Sequence, residues 1–158
     1  MTVRMLCRIA PALCALALSP ALAQDQESGR VGSGAPEDFF MEITRGEDGA
    51  PVIEPEQFDL ALGGYYRFNV VCPEELTSET GYHFEVTELL ENSHIRLLSI
   101  GETDVEFYMQ GLTFRAIQCD ESGTARFSFH PMRPGVYPIY VRDQGVPPEE
   151  VYGRVVVE

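Results

Sequence analysis

The chain has 158 residues, a length that fits one domain. It carries 25 acidic against 11 basic residues, with no lysine, and its formal net charge is −14. Nucleic acid and anionic membrane surfaces repel such a charge, so the composition argues against both as partners. It is compatible with a basic protein partner or a cation.

The first 23 residues are typical of a secretory signal peptide. An apolar run over residues 9–18 follows two arginines and precedes Ala21-Leu22-Ala23, an A-x-A cleavage site. The run is shorter than the roughly 20 residues that a membrane-spanning helix needs. We therefore expect residues 1–23 to be removed, with no membrane span left. The mature chain is expected to be periplasmic or secreted.

The remaining chain divides into a leader and one folded domain. Residues 24–36 are polar and rich in glycine and serine, so they bury too little apolar surface to offset the entropy of ordering. We expect this segment to be a flexible leader. Residues 37–158 then form the domain.

Removal of the signal peptide leaves two cysteines, Cys72 and Cys119. Each ends an alternating apolar run and falls on the side of that run that we assign to the core. In an oxidising compartment, such a pair is expected to form a disulfide. The functional alternative, a thiolate pair for metal or redox chemistry, lacks the C-x-x-C spacing.

Short alternating apolar segments separated by turn residues run through the domain and predict an all-β fold, a sandwich or a barrel. Residues 83–92 are ambiguous, since Phe84 and Val86 alternate whereas Val86, Leu89 and Leu90 have helical spacing. We expect one short helix there. The predicted strands cover residues 39–45, 52–54, 58–61, 65–72, 94–100, 105–108, 112–119, 124–130, 136–141 and 152–157.

Two of the connections resemble hairpin turns. Residues 124–141 contain two alternating segments joined by a turn with Pro131, Pro134 and Gly135. The segments on either side of Gly63-Gly64 have hairpin spacing as well. We expect each of these segment pairs to form a β-hairpin.

The end of the chain resembles the C-terminal half of cupredoxins, the small blue-copper proteins and their relatives. The pattern Pro134-Gly135-x-Tyr137-x-x-Tyr140 is followed by Val141, and residues 153–157 form a glycine-led apolar strand. In the family, an aromatic strand leads into P-G-x-Y-x-x-Y-C. The resemblance implies a cupredoxin-like Greek-key β-sandwich. Within it, Tyr137 is expected to bond back to the backbone as a tyrosine corner.

The family's copper ligands are not retained at the matching positions. A blue-copper site uses a thiolate, two imidazoles and a weak axial thioether. Val141 stands in the place of the cysteine, and residues 142–152 contain neither histidine nor methionine. The resemblance therefore implies an exported bacterial relative that lacks the copper-ligand loop, with no cofactor. His94, after Asn92-Ser93, is the remaining candidate ligand.

A rebuilt copper site around His94 is the alternative. His94 with His83, Glu85 and Glu88 would supply imidazole and carboxylate ligands, and Met109 and Met132 with His130 would suit Cu(I), which favours soft sulfur. Neither set has a recognised ligand spacing. The simpler interpretations place His83 on a solvated strand face and His130 in a turn.

No pattern indicates an enzyme. The chain has no G-x-S-x-G elbow, no triad order and no phosphate-binding glycine loop. We expect a non-catalytic binding or accessory module with a protein partner that is not identified by these residues. An enzyme with an unrecognised site is the further alternative. The expected contact surface is the loop that replaces the family's metal loop, with Arg142, Asp143, Gln144 and Tyr152.

Overall fold

The computed structural model describes residue 31 and residues 33–73, 81–100, 105–110 and 113–158. The predicted signal peptide and most of the predicted leader lie outside these ranges. Within them, no helix is long and apolar enough to cross a membrane. The elements are β1 (Glu37–Arg45), β2 (Pro51–Glu54), β3 (Gln57–Leu60), β4 (Tyr66–Cys72), β5 (Tyr82–Glu85), α1 (Thr87–Glu91), β6 (Ser93–Ile100), β7 (Val105–Gln110), β8 (Thr113–Cys119), β9 (Gly123–Pro131), β10 (Gly135–Asp143) and β11 (Glu150–Val157).

The strands form two sheets. One has five strands in the order β2-β1-β4-β9-β6, and the other has six in the order β3-β11-β10-β5-β8-β7. The β1–β4 and β3–β11 pairs are parallel and the other described pairs are antiparallel. The predicted all-β sandwich is confirmed.

An aromatic core lies between the sheets. Phe68 of β4 has its ring centroid 5.4 Å from that of Phe84 in the opposite sheet and 5.4 Å from that of Phe127 on the neighbouring strand. All three side chains are fully buried. Aromatic pairs in such tilted or edge-to-face arrangements contribute about 0.5–1.5 kcal/mol beyond their burial. Phe68 has the same parity as Cys72, so the inward side of β4 is the one that the sequence predicted.

The predicted disulfide is confirmed. Cys72 at the end of β4 is bonded to Cys119 at the end of β8, across 47 positions of the chain. Both cysteines are buried in the core. Because β4 and β8 belong to different sheets, the bond joins the two layers of the sandwich covalently.

Both predicted hairpins are wrong. β9 pairs with β4 and β6 in the five-stranded sheet, whereas β10 pairs with β5 and β11 in the other. β3 and β4 are separated in the same way. Two consecutive alternating segments each have one apolar face. A crossing between the two layers buries these faces as well as a hairpin within one sheet does. At the β9–β10 crossing, the Tyr137 hydroxyl donates to the Arg133 carbonyl at 2.9 Å, which is the predicted tyrosine corner.

The ambiguous segment contains a strand as well as the predicted helix. β5 was not predicted, although it lies in the middle of the six-stranded sheet between β10 and β8. The helix α1 follows and buries Leu89 and Leu90. The alternating period of Tyr82 and Phe84 thus gives way within a few residues to a helical period. The two periods overlap in the sequence, so neither is distinct there.

Candidate functional site

A polar groove of about 500 Å³ lies on the outer face of the six-stranded sheet. We call it the tyrosine groove. Its floor is formed by β5, β10 and β11, which are neighbours in the sheet, and the start of α1 closes one side. The lining residues are His83, Glu85, Thr87, Glu88, Tyr140, Arg142, Glu150 and Tyr152.

Strand register aligns the side chains of the groove. Residues directly opposite one another on antiparallel strands project from the same face of a sheet. Because this part of β10 pairs with β5 on one side and with β11 on the other, its outward residues Tyr140 and Arg142 each have a partner on both sides. Two cross-strand rows result, one of Glu85, Tyr140 and Tyr152 and the other of His83, Arg142 and Glu150.

Two tyrosines give the groove its exposed aromatic surface. Tyr140 is 40% exposed and Tyr152 is 57% exposed, and their ring centroids lie 5.4 Å apart with an edge-to-face angle of 83°. The Tyr152 hydroxyl donates a hydrogen bond to the Glu150 carboxylate. That bond raises the pKa of Tyr152, because the phenol is the donor only while it is protonated. The pair is thus an ordered aromatic surface in contact with solvent.

His83 forms the floor of the groove and is only 7% exposed. Burial lowers the pKa of His83 below its ordinary value of 6.5, the Arg142 guanidinium lowers it further, and the Glu85 carboxylate opposes the shift. The Nε2 atom lies 3.8 Å from Oε2 of Glu85. His83 is therefore a neutral imidazole at pH 7. It lies on the outward face of its strand, as predicted, but it is not solvated.

Glu85 is held by its neighbours. The Thr87 hydroxyl donates to Oε1 of Glu85 at 2.9 Å, and Nε of Arg115 lies 3.6 Å from the same oxygen. Thr87 is the first residue of α1, so the carboxylate connects the strand to the helix. The geometry of this side of the groove is fixed before any ligand binds.

The predicted contact residues divide between two adjacent grooves. Arg142 and Tyr152 line the tyrosine groove, while Asp143 and Gln144 line a second groove of about 300 Å³ that shares His83 and Arg142 with the first. Gln144 donates to Oδ1 of Asp120 at 2.9 Å. All four predicted residues are therefore brought together with His83 at the end of one sheet.

Several groove residues were not among the predicted site residues. Glu85 and Tyr140 line the groove because β5 pairs with β10, and β5 was not predicted as a strand. One signal was available for Tyr140: it is two positions from Arg142 in an alternating segment, which puts both on one face. Glu85 and Glu88 were considered from the sequence only as metal ligands, and no signal pointed to Glu150.

Val141 occupies the position where the cupredoxin pattern has its cysteine. Its side chain is fully buried in the core of the sandwich. An isopropyl group has no donor atom for a metal, so the residues at this position do not fit a type-1 copper ion.

The two histidines proposed for a rebuilt copper site lie on different sheets. His83 is on the outer face of the six-stranded sheet, and His94 is exposed on β6 of the five-stranded sheet. His94 pairs instead with His130, at the end of the sandwich where β9 crosses to β10. β10 begins at this end of the sandwich, at Gly135. Val141 is six residues further along the strand, about 20 Å from Gly135. Among the described residues, no group of three or more His, Cys, Asp or Glu is placed to hold a metal.

His130 is not a turn residue, and it lies away from Met109. It belongs to β9 and is fully buried on the outer side of the five-stranded sheet. Met109 is in β7, at the edge of the other sheet, whereas Met132 directly follows β9. The methionine set considered from the sequence is therefore divided, with only Met132 near His130.

No family model matches the chain, and no curated protein matches it in sequence. Among solved structures, it is similar to auracyanin B in a P65 crystal form, with 10% sequence identity and a TM-score of 0.44. The similarity covers 84% of this chain and 96% of that one. A similarity this low carries no information about activity or ligands.

Proposed function

We propose that this protein is an exported, non-catalytic binding module that recognises a basic segment of a protein partner through the tyrosine groove. The observation that carries the proposal is the combination, in one preformed groove, of an exposed tyrosine pair and three glutamates. Tyrosine supplies a large contact area at low cost in conformational entropy, which is why it is frequent in binding surfaces.

The charge of the groove favours a basic partner. Glu85, Glu88 and Glu150 line it together with Arg142, and a second guanidinium, that of Arg115, lies beside Glu85. The three carboxylates still outnumber the two guanidinium groups. The chain as a whole has a formal net charge of −14, so a basic partner is attracted from a distance as well as at contact. The faces of Tyr140 and Tyr152 are suited to holding a lysine or arginine side chain by cation–π interaction.

The chemistry of His83 supports a binding role over a catalytic one. A general base has to reach a substrate proton within hydrogen-bond distance. The His83 ring is 7% exposed and lies beside the carboxylate of Glu85, so little of it is open to a ligand in the groove. The proposed binding role does not depend on a metal ion, and Val141 offers no donor atom for one.

Export is supported by two features. The disulfide between Cys72 and Cys119 is typical of oxidising compartments such as the periplasm or the extracellular space. The signal-peptide pattern of residues 1–23 agrees with this. The proposed partner is accordingly a periplasmic or extracellular protein.

Site-specific photo-crosslinking in cells tests the proposal. We expect p-benzoylphenylalanine at Tyr152 to give a discrete adduct with a partner protein, and the same group at Phe40 to give none. Phe40 is the matched control because it is an aromatic residue with 54% exposure on the five-stranded sheet. Identical adducts from the two positions would contradict the proposal.

Affinity measurements with the purified partner then test the charge argument. Glu150→Arg is expected to weaken binding by about tenfold, or about 1.4 kcal/mol, because it reverses a charge in the groove. Glu42→Arg makes the same change on an exposed position of β1, outside the groove, and is expected to have little effect. Equal effects of the two substitutions would show that only the overall charge matters.

A further inference from the structure

His94 and His130 are direct cross-strand partners on β6 and β9. Their ring centroids lie 6.2 Å apart. Two imidazoles that share one ion at a metal–nitrogen distance of about 2.0 Å have centroids separated by roughly 5 to 6.3 Å, depending on the angle at the metal. The observed separation lies near the upper end of this range, which corresponds to an almost linear arrangement of the two nitrogens about one ion.

The hydrogen bonding of His130 leaves one nitrogen available. Its Nδ1 atom lies 3.3 Å from the Gly63 carbonyl oxygen, which can only accept, so Nδ1 carries the proton. In that tautomer the lone pair is on Nε2, a buried atom with no hydrogen-bond partner among the described residues. A backbone carbonyl on Nδ1 is the arrangement that orients a histidine to bind metal through Nε2.

The orientation of the His130 ring is fixed by Tyr65. The two rings stack with centroids 4.5 Å apart and an angle of 16° between their planes. The Tyr65 hydroxyl lies 3.3 Å from the Ser128 hydroxyl, which anchors the far end of the tyrosine. The Arg96 guanidinium lies 4.8 Å from the Tyr65 centroid and adds a nearby positive charge. That charge disfavours multivalent cations more than a monovalent one.

Met132 lies next to the two histidines in the strand register. Its backbone N–H donates to the Asn92 carbonyl at 2.8 Å, which extends the β6–β9 ladder by one pair beyond Ser93 and Pro131. His94 is directly opposite His130, and Met132 is two positions after His130. Met132 is therefore the diagonal neighbour of His94 across the two strands. A thioether is a soft donor that selects Cu(I) over harder ions.

We propose that His94, His130 and Met132 form a Cu(I) site at the end of the sandwich where β9 crosses to β10. Two imidazoles and one thioether suit a soft monovalent ion that accepts few ligands. This site is distant from Val141, and the tyrosine groove is on the other sheet. It is therefore independent of the proposed binding function, and either one can fail while the other holds.

Anaerobic titration of the mature protein against the Cu(I)–bicinchoninate complex tests the site. We expect the protein to withdraw one Cu(I) per chain. His94→Ala should lower the Cu(I) affinity by at least roughly 10- to 100-fold, the loss that removal of a group supporting a metal ligand already causes. Met132→Leu should cause a smaller loss. His83→Ala is the matched control for the metal site, since it removes an imidazole from the other sheet and should leave the Cu(I) affinity unchanged.

NMR of the imidazole nitrogens gives a test that requires no substitution at the buried His130. The chain has only three histidines, so their ¹⁵N signals can all be assigned. On addition of Cu(I), we expect the Nε2 signal of His130 and one signal of His94 to shift, while those of His83 stay in place. Failure to retain Cu(I) against the chelator, binding unaffected by His94→Ala, or shifts at His83 instead of His130 would each overturn the proposal.

Discussion

His83 is nearly buried between a guanidinium and a carboxylate, and this position makes it sensitive to pH. Burial and then the Arg142 charge lower the pKa of His83 in the folded protein, whereas the unfolded chain has the ordinary value of 6.5. The unfolded state therefore binds a proton at a higher pH than the folded state does. It follows that the contribution of His83 to stability is fully present above about pH 6.5 and is lost as the pH falls below it.

This sign leads to a prediction for His83→Gln. The free energy of unfolding of the wild-type protein should fall more steeply between about pH 7 and pH 5.5 than that of the variant, which has no imidazole to protonate. Urea unfolding at the two pH values measures the difference. If the wild-type and His83→Gln slopes are parallel, His83 does not have a lowered pKa.

Among the elements, the β10–β11 connection next to the tyrosine groove is held by one side chain. Oδ1 of Asp143 accepts hydrogen bonds from the backbone N–H groups of Gly145 and Glu149, both at 2.9 Å. The backbone N–H of Asp143 donates to the Glu149 carbonyl at 3.0 Å and closes the loop. The Asp143 carboxylate at the end of β10 thus orders the loop between β10 and β11. Residues of this loop line the second groove.

We predict that Asp143→Ala loosens this loop without unfolding the domain. Hydrogen bonds to a charged acceptor contribute about 1.5–3 kcal/mol when buried and less when exposed, so a local loss of about 1 kcal/mol is expected. Amide hydrogen exchange at Gly145 and Glu149 should accelerate by roughly fivefold. Gln144→Ala removes only a contact with Asp120 and should leave these two amides unchanged. Unchanged exchange in Asp143→Ala would show that the backbone bond alone orders the loop.

In the molecule as a whole, the disulfide adds a covalent cross-link between the two sheets to the backbone connections that pass between them. Chain-entropy arguments assign about 4 kcal/mol to a bond that closes a loop of this length, because the cross-link restricts the unfolded chain. Aromatic contacts of the core, such as the Phe68–Phe84 pair, are made across the same interface. The bond therefore acts on the stability of the domain, and no function of the thiols is required to explain it.

The double variant Cys72→Ala/Cys119→Ala should lose about 2–4 kcal/mol of unfolding free energy and keep its β-sheet circular dichroism spectrum. Urea unfolding of the variant and of the wild-type protein, with and without reductant, measures the loss. Reductant should lower the stability of the wild type towards that of the variant and leave the variant unaffected. A loss below about 1 kcal/mol would mean that the unfolded chain is already compact without the cross-link.

Local pattern was sufficient for most of the strands, and for the side that faces the core in the two strands that end in cysteine. Phe68 and Ile117 were placed inside correctly, because side-chain direction in a strand depends on parity alone. The pairing of Cys72 with Cys119 followed from the same parity, once an oxidising compartment was assumed. Tyr137 was identified as a corner residue from its position after a turn.

Which strands pair with one another could be determined only from the folded structure. Nothing in residues 124–141 distinguishes a hairpin from a crossing between layers, since both bury the same apolar faces. The groove arises because the unpredicted strand β5 lies beside β10, and the His94–His130 pair arises from the register of β6 on β9. Register is set by long-range packing, and a slip of one residue turns every side chain to the other face. The composition of both sites was therefore decided by tertiary contacts.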